Sequence, residues 1–578
     1  MYGQEVGPDF QNMKLSRSIF IPSKLTLAAV FIGLLLGFAF PSPGAASLGW
    51  VAPGLLALLL IRGGPLCEPK PASTLFQHSA SIPAFRLGWI AGFSFWLLTL
   101  RWLLFMPFPS GAILGWLSLS AYLACYMGLW SWLLQRAANR MRLFRLSLFG
   151  ASVWIALEWV RGWLFSGFAW NMLGVSQYEN IPLAQMASWS GVYGISFLMV
   201  AFSISWIMGA CDWIYSLKSS GALKEDMRER FLGLFSTRYF KEGVFWLLLL
   251  CLLIAWGSHS VKKKSHLSLS QTQMKFSIAL IQPGIPQTLL WDSEINEKRF
   301  QELLQTTRDL VETNHIDLLV WPEAAVPGYI RYDLEVSKQI SQLAVDLRAP
   351  IIFCSDDIEP DPKNPEKNRY LNCAFLMDEE GNLIERYAKR HLVIFGEYVP
   401  LYDYLPFLKF FTPITGNYST GKQAKAFPWP SQQHPISPLI CFEDVFPEEV
   451  RKHALGSPSA LIYLVNAGWF KESSAQWQHL ANAQFRSIEN ALPAIRCTQN
   501  GISCWIDRAG RIHEIFQDPT GNPYGSGGQI IRVPVAELFV DTPPTFYRRA
   551  GNLFVWCSVL WVLREMSSLF LRLRKKQS

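Results

Sequence analysis

A chain of 578 residues that is 50% hydrophobic and only 17% charged is too long for one ordinary domain and too apolar to be wholly water-soluble, so two regions in different solvents are expected. The net charge of +8 does not signal nucleic acid, because the basic residues flank apolar spans and no groove-reading motif or basic stripe is present. The ten cysteines, Cys67 to Cys557, lack paired ligand spacing, so no metal is expected.

Apolar stretches near 25–41, 48–62, 86–106, 111–135, 146–165, 191–211, 243–259 and 551–570 approach the roughly 20 residues that cross a bilayer. Residues 1–260 are therefore expected to hold about seven spans and 275–540 a polar domain, with a final span and basic tail over 551–578. Small residues in "PSPGAASLG" imitate a signal cleavage site, but further spans follow at once, so the first span reads as an uncleaved anchor. The link "QRAANRMRLFR" carries Arg136, Arg140, Arg142 and Arg145 without an acid, and the link 214–242 and the tail "RLRKKQS" are also basic. Lys and Arg mark cytoplasmic loops, so these lie inside and the polar domain outside. Lys262, Lys263 and Lys264 run against this topology, although long translocated domains obey local charge less strictly.

Within the polar region, "FSIALIQ", "DLLVWPE", "PIIFCS", "SPLICFE" and "ALIYLVNAG" read as short buried strands, and 294–314 and 334–347 as amphipathic helices. Polar turns at "MDEEGNL" and "DRAGRI" predict hairpins. The result is a layered α/β domain. It holds Cys354, Cys373, Cys441, Cys497 and Cys504, an odd number, so at least one stays out of an intramolecular disulfide.

Three strand ends carry candidate chemistry: Glu323 in "LLVWPEAAVP", Lys389 and Glu397 in "ERYAKRHLVIFGEYVP", and Cys441 in "SPLICFEDVFPEEV". Glu443 and Asp444 beside Cys441 should raise the thiol's pKa, so it is either inert or activated from elsewhere. Singly, each residue has an ordinary reading as core thiol, turn acid or solvated lysine. Jointly they supply a base, a nucleophile and an ammonium that steadies a developing oxyanion.

The order Glu323, Lys389, Cys441 resembles the nitrilase superfamily, whose members place a Glu, Lys and Cys triad at strand ends of an αββα sandwich. "KRHLVIFGEYVP", "EWVRGWLFSGFAWNMLGVSQ", "IQPGIPQTLLWD" and "TPPTFYRRAGN", with the eight apolar spans, resemble the apolipoprotein N-acyltransferase family over nearly the whole chain. That resemblance implies a polytopic α-helical membrane domain of about eight spans joined to an α/β nitrilase-like αββα sandwich facing the periplasm from a bacterial inner membrane. It implies Cys441 as nucleophile, Glu323 as general base and Lys389 as oxyanion stabiliser. Glu397 matches a further glutamate of the family's site, and Glu443, Trp291, Phe442 and Tyr398 are supporting positions. The implied reaction takes an acyl chain from a phospholipid through a cysteine thioester to the N-terminal amine of a diacylglyceryl-modified prolipoprotein, without cofactor, metal or ATP.

Two residues depart from the pattern: Phe442 stands where the family usually has tyrosine, and Ala467 in "VNAGWF" where it has an acid. The triad alone would also serve a membrane-tethered amidohydrolase, and a transporter with a ligand-binding outer domain is the alternative from another class. The aromatic run "YVPLYDYLPFLKFFTPITG", with Tyr402, Tyr404, Phe407, Phe410 and Phe411, suits a lid that dips into the bilayer. Glu158 and Arg161, three positions apart in an apolar span, suggest a polar cavity or headgroup contact, or equally a structural ion pair. Arg486 and Glu489 read as helix-surface or scaffold charge, and His391 and His479 as structural polar residues.

Overall fold

The computed structural model describes residues 23–62, 81–138, 140–219, 238–269, 274–400, 404, 417–539 and 543–577. Helices stand at all eight expected apolar positions: Lys24–Phe38, Ala52–Arg62, Ser81–Thr99, Pro109–Ala138, Leu143–Arg161, Val192–Ser219, Arg238–Leu269 and Leu553–Gln577. Length and composition suffice for a crossing in four of them, over 109–138, 143–161, 192–211 and 241–265, whereas Lys24–Phe38 and Ala46–Ile61 are shorter apolar helices. The expected count of eight full spans is thus not established. The third stretch is also shorter than expected, because its helix stops at Thr99 and a 3-10 turn, Arg101–Phe105, follows.

Small residues let the membrane helices approach closely, as expected where lipid supplies no hydrophobic drive between them. A Cβ on Gly33 would lie 2.1 Å from the Ala91 carbonyl oxygen, so only glycine fits there. At one end of the bundle Arg145 meets the buried Glu565 of the final helix at 2.5 Å. The other end of that helix begins at Leu553, where Asn552 donates to Glu448 of the α/β domain at 3.3 Å. Arg145 therefore lies at the end of the bundle remote from the sheets. Lys264, which argued against the topology, is consumed by local bonds: its Nζ donates to Gln185 Oε1 at 2.8 Å and to the Arg508 carbonyl at 3.2 Å.

The α/β domain is built on two sheets. The first contains β1 (Lys275–Gln282), β2 (Leu318–Val320), β3 (Ile351–Asp361), β4 (Asn364–Met377), β5 (Leu383–Ala388) and β11 (Gly527–Pro534), in the order β11-β1-β2-β3-β4-β5. The second contains β6 (Ile436–Ile440), β7 (Ala460–Val465), β8 (Ala494–Thr498), β9 (Cys504–Ile506) and β10 (Ile512–His513), in the order β10-β9-β8-β7-β6. Strand alternation sorts the layers. Ala279, Ile281, Leu319 and Ile351 meet Phe300, Leu303, Ile340 and Leu343 of the helices Asn296–Val311 and Leu334–Leu347. Ile278, Leu280, Leu318 and Ile352 face the other sheet's Ile440, Ile462, Leu464 and Ile495. The far side of that sheet packs on Val450, Ala454, Leu480 and Ala483, completing an αββα sandwich. The hairpins anticipated at "MDEEGNL" and "DRAGRI" join β4 to β5 and β9 to β10, both antiparallel.

The outer helix Ser474–Asn490 is buried on nearly every face because the membrane domain covers the side that the sheet does not. Arg486 and Glu489 are consequently buried and not on a helix surface: they pair at 2.7 Å, Arg486 donates to the Val445 carbonyl, and Glu489 accepts the Val192 amide at 2.9 Å. Gln478 joins the two domains. Its Oε1 accepts the indole N–H of Trp102 (3.2 Å) and Trp170 (2.7 Å), and its Nε2 donates to the Pro41 carbonyl at 2.8 Å. Gln478→Leu leaves these groups without their buried partner and is expected to cost about 2 kcal/mol. A lowered Tm in detergent, with no change in secondary structure by circular dichroism, is the readout.

Candidate active site

Glu323, Lys389 and Cys441 each leave the end of a strand. The chain runs from β2 through Trp321 and Pro322 to Glu323, from β5 directly to Lys389, and from β6 directly to Cys441. Lys389 is 1% exposed, and its Nζ donates to Glu323 Oε1 at 3.1 Å and to Glu397 Oε1 at 2.8 Å. Glu397 is fixed in turn by the Val393 amide on Oε2 at 2.8 Å. Cys441 is half-buried, its Sγ lies 3.7 Å from the Asn466 carbonyl oxygen, and the charges of Glu323 and Lys389 both act on its thiol. The structure thus brings the three sequence-predicted groups together with Glu397.

Burial pushes the Cys441 thiol well above its ordinary pKa, and Glu323 adds to the rise while Lys389 opposes it. The rise expected from Glu443 and Asp444 has this different origin because both acids turn away from the sulfur. Glu443 accepts the Tyr387 hydroxyl (2.8 Å) and the amides of Arg390 (2.6 Å), His391 (3.1 Å) and Ile440 (2.8 Å). Asp444 bonds His479 and Arg496. For Lys389, burial works against the charge, but the carboxylates of Glu323 and Glu397 outweigh it and hold the ammonium well above its usual range. Burial beside Lys389 pushes His391 down to about 4, leaving a neutral ring packed 3.6 Å from the Phe446 ring.

Burial also raises Glu443 from 4.5 to about 7. An acid whose folded pKa is raised contributes stability that is complete below its unfolded value and is lost as pH rises through the folded one. The wild-type Tm is therefore expected to fall between about pH 4.5 and 7, with about 3 kcal/mol traceable to this carboxyl. Glu443→Gln flattens that part of the Tm-against-pH curve; an unchanged slope would contradict the assignment.

The supporting positions divide. Phe442 has no hydroxyl to place, and its ring packs against Trp170 (6.0 Å), Phe168 (6.3 Å) and Phe446 (5.0 Å), bringing the membrane domain up to the residue after the thiol. The Tyr398 hydroxyl meets Ser166 Oγ at 2.6 Å across the same junction. Trp291 ends the 3-10 turn Gln287–Trp291, and its side chain lies outside the described residues. So does most of the anticipated lid, residues 401–403 and 405–416, although Tyr404 is 82% exposed. Ala467 is buried and its carbonyl accepts Gln476 Nε2 at 3.1 Å, so an acid there would be enclosed.

Three residues of the site escaped the sequence reading. Asn372 Nδ2 donates to Glu323 at 2.8 Å and to Glu397 at 3.2 Å, fixing the spacing of the two carboxylates. The Asn466 amide donates to Glu323 Oε2 at 3.0 Å, and its side chain donates to Gln287 Oε1 at 2.9 Å. A polar residue inside the buried half of β4 is a signal for Asn372; Gln287 carries none. Among the described residues, no group of three His, Cys, Asp or Glu side chains is placed to hold a metal ion. Cys354, Cys373, Cys441, Cys497 and Cys504 are all unbridged.

In the membrane domain, Glu158 accepts the Trp154 indole N–H (2.9 Å) and the Leu173 amide (2.7 Å). Arg161 donates to the carbonyls of Phe168 (3.1 Å) and Trp170 (2.6 Å). Both line a cavity with Trp96, Tyr126 and Asn171, so the pair fastens the segment that touches Phe442 and also faces an internal space.

Residues 32–205 match the model of the apolipoprotein N-acyltransferase N-terminal domain, and 277–520 that of carbon-nitrogen hydrolases. Among solved structures, Nit3 of Saccharomyces cerevisiae, a nitrilase-superfamily member, covers 48% of this chain and 95% of its own at 19% identity and a TM-score of 0.34. An amidase from Nesterenkonia sp. AN1 covers 49% and 97% at 19% identity and a TM-score of 0.34. The apolipoprotein N-acyltransferase of Vibrio vulnificus is 27% identical over 97% of this chain and 99% of its own. That of Geobacter metallireducens is 31% identical over 560 residues, 95% of this chain and 96% of its own. With a relative of that identity aligned along both of its domains, the chain belongs to the apolipoprotein N-acyltransferase family.

Proposed function

We propose that this membrane protein moves an acyl chain from a phospholipid to the free amine of a diacylglyceryl-modified cysteine at a lipoprotein N-terminus. The observation that carries the reading is the Lys389–Glu323 pair gathered with Cys441 around Asn466, beside a membrane-domain aromatic surface. Because the resting thiol is protonated, Glu323 takes its proton as Sγ attacks the ester carbonyl. Lys389 N–H groups stabilise the oxyanion, and the departing alkoxide of the lysophospholipid recovers the proton from Glu323. A thioester on Cys441 remains. The lipoprotein amine then attacks it, an amide forms, and the sulfur leaves and regains a proton through the same carboxyl. Thioester aminolysis is downhill, so the residues need no nucleotide or metal.

The basic loop holding Arg136 to Arg145 lies inside by its charge, which puts the sandwich on the periplasmic face of a bacterial inner membrane. Water could resolve the same thioester, making an amidohydrolase. Phe168, Trp170 and Phe442 packed at the nucleophile favour a lipid substrate. Purified enzyme incubated with labelled phospholipid alone is expected to gain one acyl mass on the peptide containing Cys441. Adding a diacylglyceryl peptide should discharge it to acylated peptide. Free fatty acid with no acylated peptide would overturn the transfer reading.

A further inference from the structure

The thiol sits at the start of a 3-10 turn, Cys441–Val445, with its own backbone at φ 52. For a residue with a Cβ this left-handed conformation costs about 1–2 kcal/mol and persists only where the surroundings impose it. Glu443 anchors the turn on one side through the bonds described above. On the other side Asp444, fully buried, is gripped twice: His479 Nε2 lies 2.5 Å from Oδ1, and Arg496 donates to Oδ2 at 2.6 Å. Arg496 belongs to β8 and is itself completely buried, so the pair with Asp444 is enclosed within the sandwich. His479 comes from the interdomain helix Ser474–Asn490. Its ring lies 5.4 Å from the Trp170 ring of the membrane domain.

We propose that His479 is a positioning residue for acyl transfer, holding the Asp444 carboxylate so that the turn aims the Cys441 sulfur at the substrate carbonyl. The inference rests on Cys441 being the nucleophile. His479 touches no reacting atom. Its effect passes through Asp444 and the strained backbone, and Trp170, stacked on Phe442, closes the same cluster from the membrane side. A turn freed from this grip relaxes toward ordinary backbone angles, and a misplacement of about 1 Å is enough to cost about 10²-fold in rate.

The test uses the full-length enzyme in detergent with phospholipid and a diacylglyceryl peptide. His479→Leu keeps the volume but no donor; His479→Gln returns a donor to the place of the imidazole Nε2. His479→Leu is expected to lose about 10²-fold in kcat with KM for phospholipid unchanged, and His479→Gln to recover about tenfold of that loss. A merely structural role would lower Tm and leave kcat per folded molecule unchanged, and that result overturns the inference. If His479→Leu does not fold, Asp444→Asn is measured instead, and unchanged kcat there is equally fatal. Cys441→Ser separates the two readings. Undiminished activity in it sinks the nucleophile assignment, whereas an inactive Cys441→Ser beside a fully active, folded His479→Leu sinks the inference alone.

Discussion

Cys441→Ala is expected to abolish acyl-enzyme formation and to lower turnover by about 10⁴-fold or more, because in the proposed mechanism its sulfur carries the covalent intermediate. Cys354 lies near the site but is completely buried within the sandwich core. Folding should survive the substitution. The residue is half-buried, and the contact of its sulfur with the Asn466 carbonyl, at 3.7 Å, is weak. Mass spectrometry after exposure to phospholipid, together with the thermal transition, separates the outcomes: an acyl adduct elsewhere, or undiminished transfer, would contradict the mechanism.

Lys389→Met is expected to damage stability and rate together. It leaves Glu323 and Glu397 facing one another without their shared cation, and losing one partner of a buried pair costs about 3–5 kcal/mol. It also removes the proposed oxyanion donor, worth about 10²–10³ in kcat. The folded pKa of Lys389 is raised, so the charge contributes its full stability below the unfolded value and loses it only as pH climbs through the folded one. Wild type should therefore show no transition from this lysine between pH 5 and 9. Adding Glu397→Gln to Lys389→Met should restore part of the lost Tm and none of the lost kcat. Recovery of both would mean that the ammonium serves only to neutralise the carboxylates.

The legible part of this protein was the part written in local pattern. Ala279 and Ile281 point one way and Ile278 and Leu280 the other, so β1 announces two buried faces, and the apolar runs announce helices in lipid. Glu323, Lys389 and Cys441 could be nominated from the sequence because each stands within three residues of a strand end with distinctive flanks. Asn372, Asn466 and Gln287 were not, since amides serve in many loops and strands without consequence and only their partners give them a role. For Arg486 and Glu489 the scaffold reading held and the helix-surface one failed, because a polar helix reads as solvated unless a second domain is known to cover it.

Taken alone, the order of residues determined that the chain has a lipid-facing half and a water-facing half, and it nominated the three side chains for which acyl chemistry is proposed. Those properties follow from hydropathy and residue type, which act over a few neighbours. The direction of the two acids beside Cys441, the burial of the Ser474–Asn490 helix, and the bonds among Gln478, Trp102 and Trp170 were decided only by folding. They depend on pairs separated by hundreds of positions, whose meeting is set by packing of the sandwich against the helices.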